Sequence, residues 1–142
     1  MHEVTASADV DAPPQAVYAL LLDRAAVVRW SPMETCELDS PGPEDPEGVG
    51  AVRRQVMGRV VGYDTIVELV PGRLFAYTHQ GLSSVREYRG RVELTPLGAG
   101  CRITWSATFA AKYPATGWIL RRGVRGFLDN CVQGLAEAAA KT

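Results

Sequence analysis

A chain of 142 residues has the commonest size of a single domain, and one domain over residues 1–142 is expected. Hydrophobic residues make up 46% and charged residues 22%, ordinary values for a globular protein with a real core. The net charge of −1 leaves no basic excess to neutralise phosphates, which argues against a nucleic-acid binder.

No window approaches the ~20 apolar residues of a membrane span. Nothing at the N-terminus combines a charged start, an apolar run and a cleavage site, so the expected compartment is the cytoplasm. The cysteines, Cys36, Cys101 and Cys131, are far apart and give neither a metal-ligand spacing nor a disulfide framework. They read as small core residues, and neither a metal nor a cofactor is expected.

Residues 2–11 alternate, with Val4, Ala6, Ala8 and Val10 on one side and Glu3, Thr5, Ser7 and Asp9 on the other. Period two with a polar outer face predicts a half-buried strand. Pro13-Pro14 stops it and starts a helix, because the N–H that proline lacks has no partner in a first turn. Val17, Leu20 and Leu21 form the inner stripe of that short helix. A second short helix is expected over Asp23 to Trp30. The segment from Glu34 to Glu47 has six acidic residues and no basic ones; a strand over roughly 34–39 and then a solvated loop are expected.

From Val49 to Phe109 the spacing predicts a meander of antiparallel strands. Its turns are marked by Met57-Gly58, Pro71-Gly72, Gly81 with Ser83-Ser84, and Pro96 with Gly98 and Gly100. In the last strand Ile103, Trp105, Ala107 and Phe109 share a face. In the strand before it Tyr88, Gly90, Val92 and Leu94 oppose Glu87, Arg89, Arg91 and Glu93. One apolar and one charged face belong to a sheet covered on one side only.

The cover is the C-terminal segment. After Pro114, Leu120, Val124, Phe127, Cys131, Leu135 and Ala138 recur at spacings of three and four, a single stripe on a helix of about six or seven turns. Asn130 falls at the edge of the stripe, and Arg122, Arg125 and Asp129 opposite it. Gly123 and Gly134 lie beside it; each costs roughly 1 kcal/mol relative to alanine, which points to close backbone approach or to reserved space.

The element order and the stretches "DAPPQAVYALLLD" followed by "RW", "IVELVPGRLFAYT" and "YRGRVELTPLGAGCRITW" resemble the polyketide cyclase/dehydrase and lipid-transport family of the START-like (SRPBCC) superfamily. The resemblance implies an α+β helix-grip fold: a curved antiparallel sheet of about six or seven strands around a long C-terminal helix, with two short helices after the first strand. It also implies a deep apolar pocket between sheet and helix, opening near the short helices and loops. Family members bind lipids, polyketides, hormones or aromatic compounds, and some catalyse ring closure or dehydration. Fold alone does not choose among these.

No phosphate loop, metal cluster or nucleophile elbow is present, so the candidates are residues expected to face the pocket. Trp105 and Phe109 follow from the last strand and Tyr88 from the one before. Phe75, Tyr77 and His79 share a face by the period-two rule, taken as inward. Tyr63 is expected inward with Val61, Thr65, Val67 and Leu69, which sends Asp64 and Glu68 outward. Trp30 and Met33 are placed near the mouth and Asn130 on the helix. His79 is the natural proton shuttle, with Tyr88 and Tyr63 as partners in acid–base chemistry. Arg54 could orient a carboxylate or enolate through its planar donors.

Two functions compete. One is a module that binds a hydrophobic small molecule (polyketide, aromatic or lipid-like) in the cavity. The other is an enzyme that cyclises or dehydrates a polyketide-like substrate by acid–base chemistry. A third reading is a regulator acting through protein contacts, and the Arg121, Arg122 and Arg125 cluster would suit an acidic partner such as an acyl carrier protein.

Overall fold

The computed structural model describes residues 1–142. Its elements run β1 (His2–Val10), α1 (Pro14–Leu22), α2 (Arg24–Trp30), β2 (Thr35–Ser40), β3 (Val52–Met57), β4 (Val60–Val70), β5 (Leu74–Gln80), β6 (Val85–Leu97), β7 (Gly100–Ala111) and α3 (Gly117–Ala140). The seven strands form one antiparallel sheet in the order β1-β7-β6-β5-β4-β3-β2. The chain thus crosses once, from β1 through the two short helices to the far edge, and returns strand by strand. This is the helix-grip, START-like arrangement.

Local sequence explains the boundaries. Pro14 opens α1, where a missing N–H costs nothing. Asp23 caps α2, its side chain accepting from the N–H groups of Ala25 and Ala26, which satisfies donors that a helix start leaves unpaired. Pro96, expected in a turn, lies inside β6 opposite Cys101. The pairing of β5 with β6 runs only as far as Glu93, so the proline deprives no strand of a donor. The acidic loop is pinned to α2, because Glu47 accepts from Arg24 Nε at 2.8 Å.

The core fills the concave side of the sheet. Ile103, Ala107 and Phe109 of β7 and Val92 and Leu94 of β6 are buried there with Val17, Leu21 and Val27 of the short helices. The C-terminal part of α3 packs on β1, β7, α1 and α2. Its buried sector is wider than the single stripe expected: Leu128, Val132, Ala136 and Ala139 join Cys131 and Leu135, because sheet and short helices hold the helix from two directions. At Gly134 a Cβ would collide with the carbonyl of Trp30, so this glycine lets α2 and α3 approach backbone to backbone.

The expectation for β4 holds next to its turn and fails beyond it. Leu69 packs on the core, as foreseen. A bulge between Ile66 and Glu68 then shifts the register with β5. Period two makes a shift of one residue reverse every side chain beyond it. Val61, Tyr63 and Thr65 therefore face outward, Val67 is exposed, and Gly62, Asp64 and Ile66 face inward.

Candidate functional site

A cavity of about 420 Å³ lies between the sheet, α2 and the first half of α3. Of its 25 lining residues 17 are hydrophobic, so its walls favour an apolar occupant. Trp30, Phe75, Trp105, Leu120, Val124 and Phe127 form much of that wall. Met57, Val60, Leu82 and Ile119 line the cavity and are also exposed. The mouth accordingly lies between the β3–β4 turn, the β5–β6 loop and the start of α3. Trp30 is not at that mouth: it is 8% exposed, packs on Trp105 with ring centroids 5.9 Å apart, and donates to the carbonyl of Leu20.

Two groups of polar side chains interrupt the apolar wall. In the first, His79 Nδ1 and Asp64 Oδ1 are 2.5 Å apart, because the bulge sets these residues opposite each other across β4 and β5. Nδ1 is the ring nitrogen engaged by the Asp64 carboxylate, and Nε2 makes no hydrogen bond to the protein. The ring lies directly over Gly62, where any Cβ would strike it. Tyr88 sits edge-on to His79 at 5.6 Å, and Trp105 Nε1 donates to the Tyr77 hydroxyl at 3.0 Å. Burial first, then the Asp64 carboxylate and the Cys131 thiol, pushes Tyr88 far above the ordinary phenol range; the Tyr77 hydroxyl partly offsets this. Burial also holds Tyr77 well above its ordinary value and pushes the Cys131 thiol up to about 12. These groups are therefore neutral hydrogen-bonding elements near neutral pH.

The second group is Arg53 and Gln55, neighbours on one face of β3. Arg53 is 3% exposed. Its Nη2 donates to the carbonyl of Leu22 at 3.0 Å, and its guanidinium lies 5.3 Å from the centre of the Phe75 ring. Burial lowers its pKa from the ordinary value, and the surrounding Cys36, Glu47 and Asp64 oppose that shift.

The family model described as polyketide cyclase/dehydrase and lipid transport matches residues 1–140. The chain belongs to that family. Solved structures repeat the fold of this family member at low identity. A START superfamily protein from Mycobacterium smegmatis superposes with a TM-score of 0.84 at 14% identity, covering 99% of both chains. The Zhui aromatase/cyclase from a Streptomyces species gives 0.81 at 18% identity over 99% of this chain and 94% of its own. XoxI from Bacillus cereus gives 0.82 at 16%, covering 98% and 96%. A search of curated proteins finds no match. No helix is long and apolar enough to cross a membrane.

Of the side chains singled out from sequence, Trp30, Met33, Phe75, Tyr77, His79, Tyr88 and Trp105 line the cavity. Four others do not. Tyr63 is on the outer face, beyond the bulge, opposite Arg54 and Gln80. Phe109 is fully buried behind the wall, its ring stacked on Tyr88 at 5.9 Å and 14°; it supports Tyr88 and does not face the space. Asn130 is exposed, because the buried sector of α3 is centred on Leu128, Val132 and Leu135 and turns position 130 to solvent. Arg54 shares the outer face with Tyr63, and its neighbour Arg53 takes the inward place. Asp64, Arg53 and Gln55 were not foreseen. Their signal lay in the pairing: once His79 is inward, the β4 residue across from it is inward too, and only the bulge makes that residue Asp64.

Proposed function

We propose that the protein binds a hydrophobic small molecule, polyketide-like, aromatic or lipid-like, in the cavity between sheet and α3. The observation that carries this reading is the apolar space itself. Its roughly 420 Å³ is within the size range of small-molecule sites, and its few polar groups converge from two sides. Family membership and the aromatase/cyclase among the structural neighbours support it. The three cysteines are free and buried, which suits a reducing compartment such as the cytoplasm. Calorimetric titration with apolar aromatic and long-chain ligands tests the reading. Saturable binding with a negative heat-capacity change is expected; absence of saturable heat at several temperatures for every ligand class would refute it.

A second reading, an acid–base catalyst of ring closure or dehydration, draws on the Asp64–His79 pair beside Tyr88. Asp64 would fix the imidazole tautomer. His79 Nε2 would take a proton from carbon next to a carbonyl and return it to a departing hydroxyl, while the Tyr88 hydroxyl donates a hydrogen bond to the substrate oxygen. A substrate delivered on an acyl carrier protein would enter at the mouth beside Arg121 and Arg122 of α3. His79→Gln separates the readings. A catalyst loses ~100- to 10,000-fold in turnover with little change in affinity. A carrier shows no turnover in either protein.

A further inference from the structure

Arg53 is the only charged side chain in the buried core, at 3% exposed. An arginine keeps its charge inside proteins, and a buried charge without a counter-ion is costly. Arg53 has none. It makes no ion pair, and its Nε is buried with no hydrogen-bond partner. A backbone carbonyl and the face of Phe75 are its only polar or π contacts. The nearby carboxylates are engaged elsewhere: Glu47 accepts two bonds from Arg24, at 2.8 and 3.1 Å, and Asp64 holds His79. Yet Arg53 forms part of the cavity wall, with Gln55 beside it.

Resting on the small-molecule reading, we propose that the ligand is an apolar molecule bearing a carboxylate, and that this carboxylate is the missing counter-ion of Arg53. Planar guanidinium donors match a carboxylate edge to edge. The charge balance selects a monoanion: no second buried cation stands beside Arg53, and Asp64 faces the same space, so a dianionic phosphate would stay half neutralised and repelled. Gln55 sits on the same strand face to offer its amide to the second oxygen; its present bond, Nε2 to Cys36 Sγ at 3.6 Å, is to a weak acceptor and easily exchanged. The apolar body would extend over Trp30, Trp105 and Phe127 toward the mouth.

Matched probes test this. Decanoic acid is compared with decanol, and naphthoic acid with naphthamide, by calorimetry near neutral pH. In the wild-type protein the acid of at least one pair should bind ~10-fold or more tightly than its neutral partner, as charge-assisted hydrogen bonds allow. Arg53→Met removes the charge but keeps a long apolar stem. It should abolish the preference, because the acid loses far more affinity than the neutral probe does. Arg53→Lys should retain part of the preference. Equal affinity for acid and neutral probe in the wild type overturns the carboxylate proposal alone, as does a preference that survives in Arg53→Met. Should the Met variant fail to melt cooperatively, Arg53→Gln and the wild-type comparison decide. No binding of any probe overturns the small-molecule reading together with the proposal.

Discussion

The two halves of α3 belong to one helix and do different work. From Leu128 onward, Leu128, Val132, Leu135 and Ala139 are almost wholly removed from solvent. Between Gly117 and Phe127 no residue is buried, and Trp118 and Ile119 are 61% and 54% exposed. The glycines divide in the same way. Gly134 is pressed against the carbonyl of Trp30, whereas a Cβ on Gly123 or Gly126 would meet nothing. Stability is thus concentrated in the second half and in the elements it grips. The first half roofs a space that the protein leaves unfilled, and its low packing is what makes room for a ligand.

That contrast can be broken on the largest scale by removing the helix. Deleting residues from Gly117 onward exposes the concave face of the sheet, and at ~25 cal/mol per Å² of apolar surface the loss exceeds the ~5–15 kcal/mol stability of a normal domain. The truncated chain should show no cooperative thermal transition; a cooperative melt would mean that the sheet holds its core without the helix.

Single truncations come next. Leu135→Ala should cost ~2–5 kcal/mol, the range for a fully buried leucine. Leu120→Ala, in the roof, should cost less than about 1 kcal/mol and alter ligand affinity instead. Paired urea denaturation curves would check both, and equal losses would erase the distinction between the halves. The glycines sharpen it further. Gly134→Ala should destabilise by about 1–3 kcal/mol through overpacking against backbone, while Gly123→Ala should stabilise by up to roughly 1 kcal/mol through helix propensity.

The smallest effect is a matter of pH. Cys131 is pushed up to about 12 from an ordinary value of 9.0, and Tyr77 and Tyr88 are raised above 10.0. Above pH ~9 the unfolded chain releases these protons first, so it binds fewer protons than the native state and stability falls as pH rises. Below that pH the contribution is constant. Native Cys131 should therefore resist alkylation at mildly alkaline pH and react at once in denaturant, as peptide mass mapping would register.

The fold was legible because its signals are local and redundant. The alternation of Ile103, Trp105, Ala107 and Phe109, the prolines at 13 and 14 and the three-four spacing from Leu120 to Leu135 each fix one element. The site was less so, because a cavity wall depends on register, and register on a bulge that no residue type announces. The slip at Val67 replaced Tyr63 with Asp64 on the inner face, and so turned a lone histidine into a hydrogen-bonded pair. Arg53 escaped notice for a related reason: adjacent arginines look alike in sequence, and only pairing with β4 decides which of Arg53 and Arg54 turns inward. Phe109 shows the complementary error, since a position on the right strand face still has to reach the empty space and not the packed core, whereas Asn130, at the edge of the stripe, is turned to solvent.

The central claim is that the space under the first half of α3 holds the ligand. Gly123 lines that space and has no neighbour where a side chain would stand, so Gly123→Leu fills it while favouring the helix. The decisive measurement is the affinity of one apolar ligand for the wild type and for this variant, with melting temperatures taken in parallel. Saturable binding to the wild type that weakens at least about tenfold in Gly123→Leu (~1.4 kcal/mol), in a variant that melts no lower, is the outcome the account predicts. Equal affinity in the two proteins, or no saturable binding to the wild type, would contradict it.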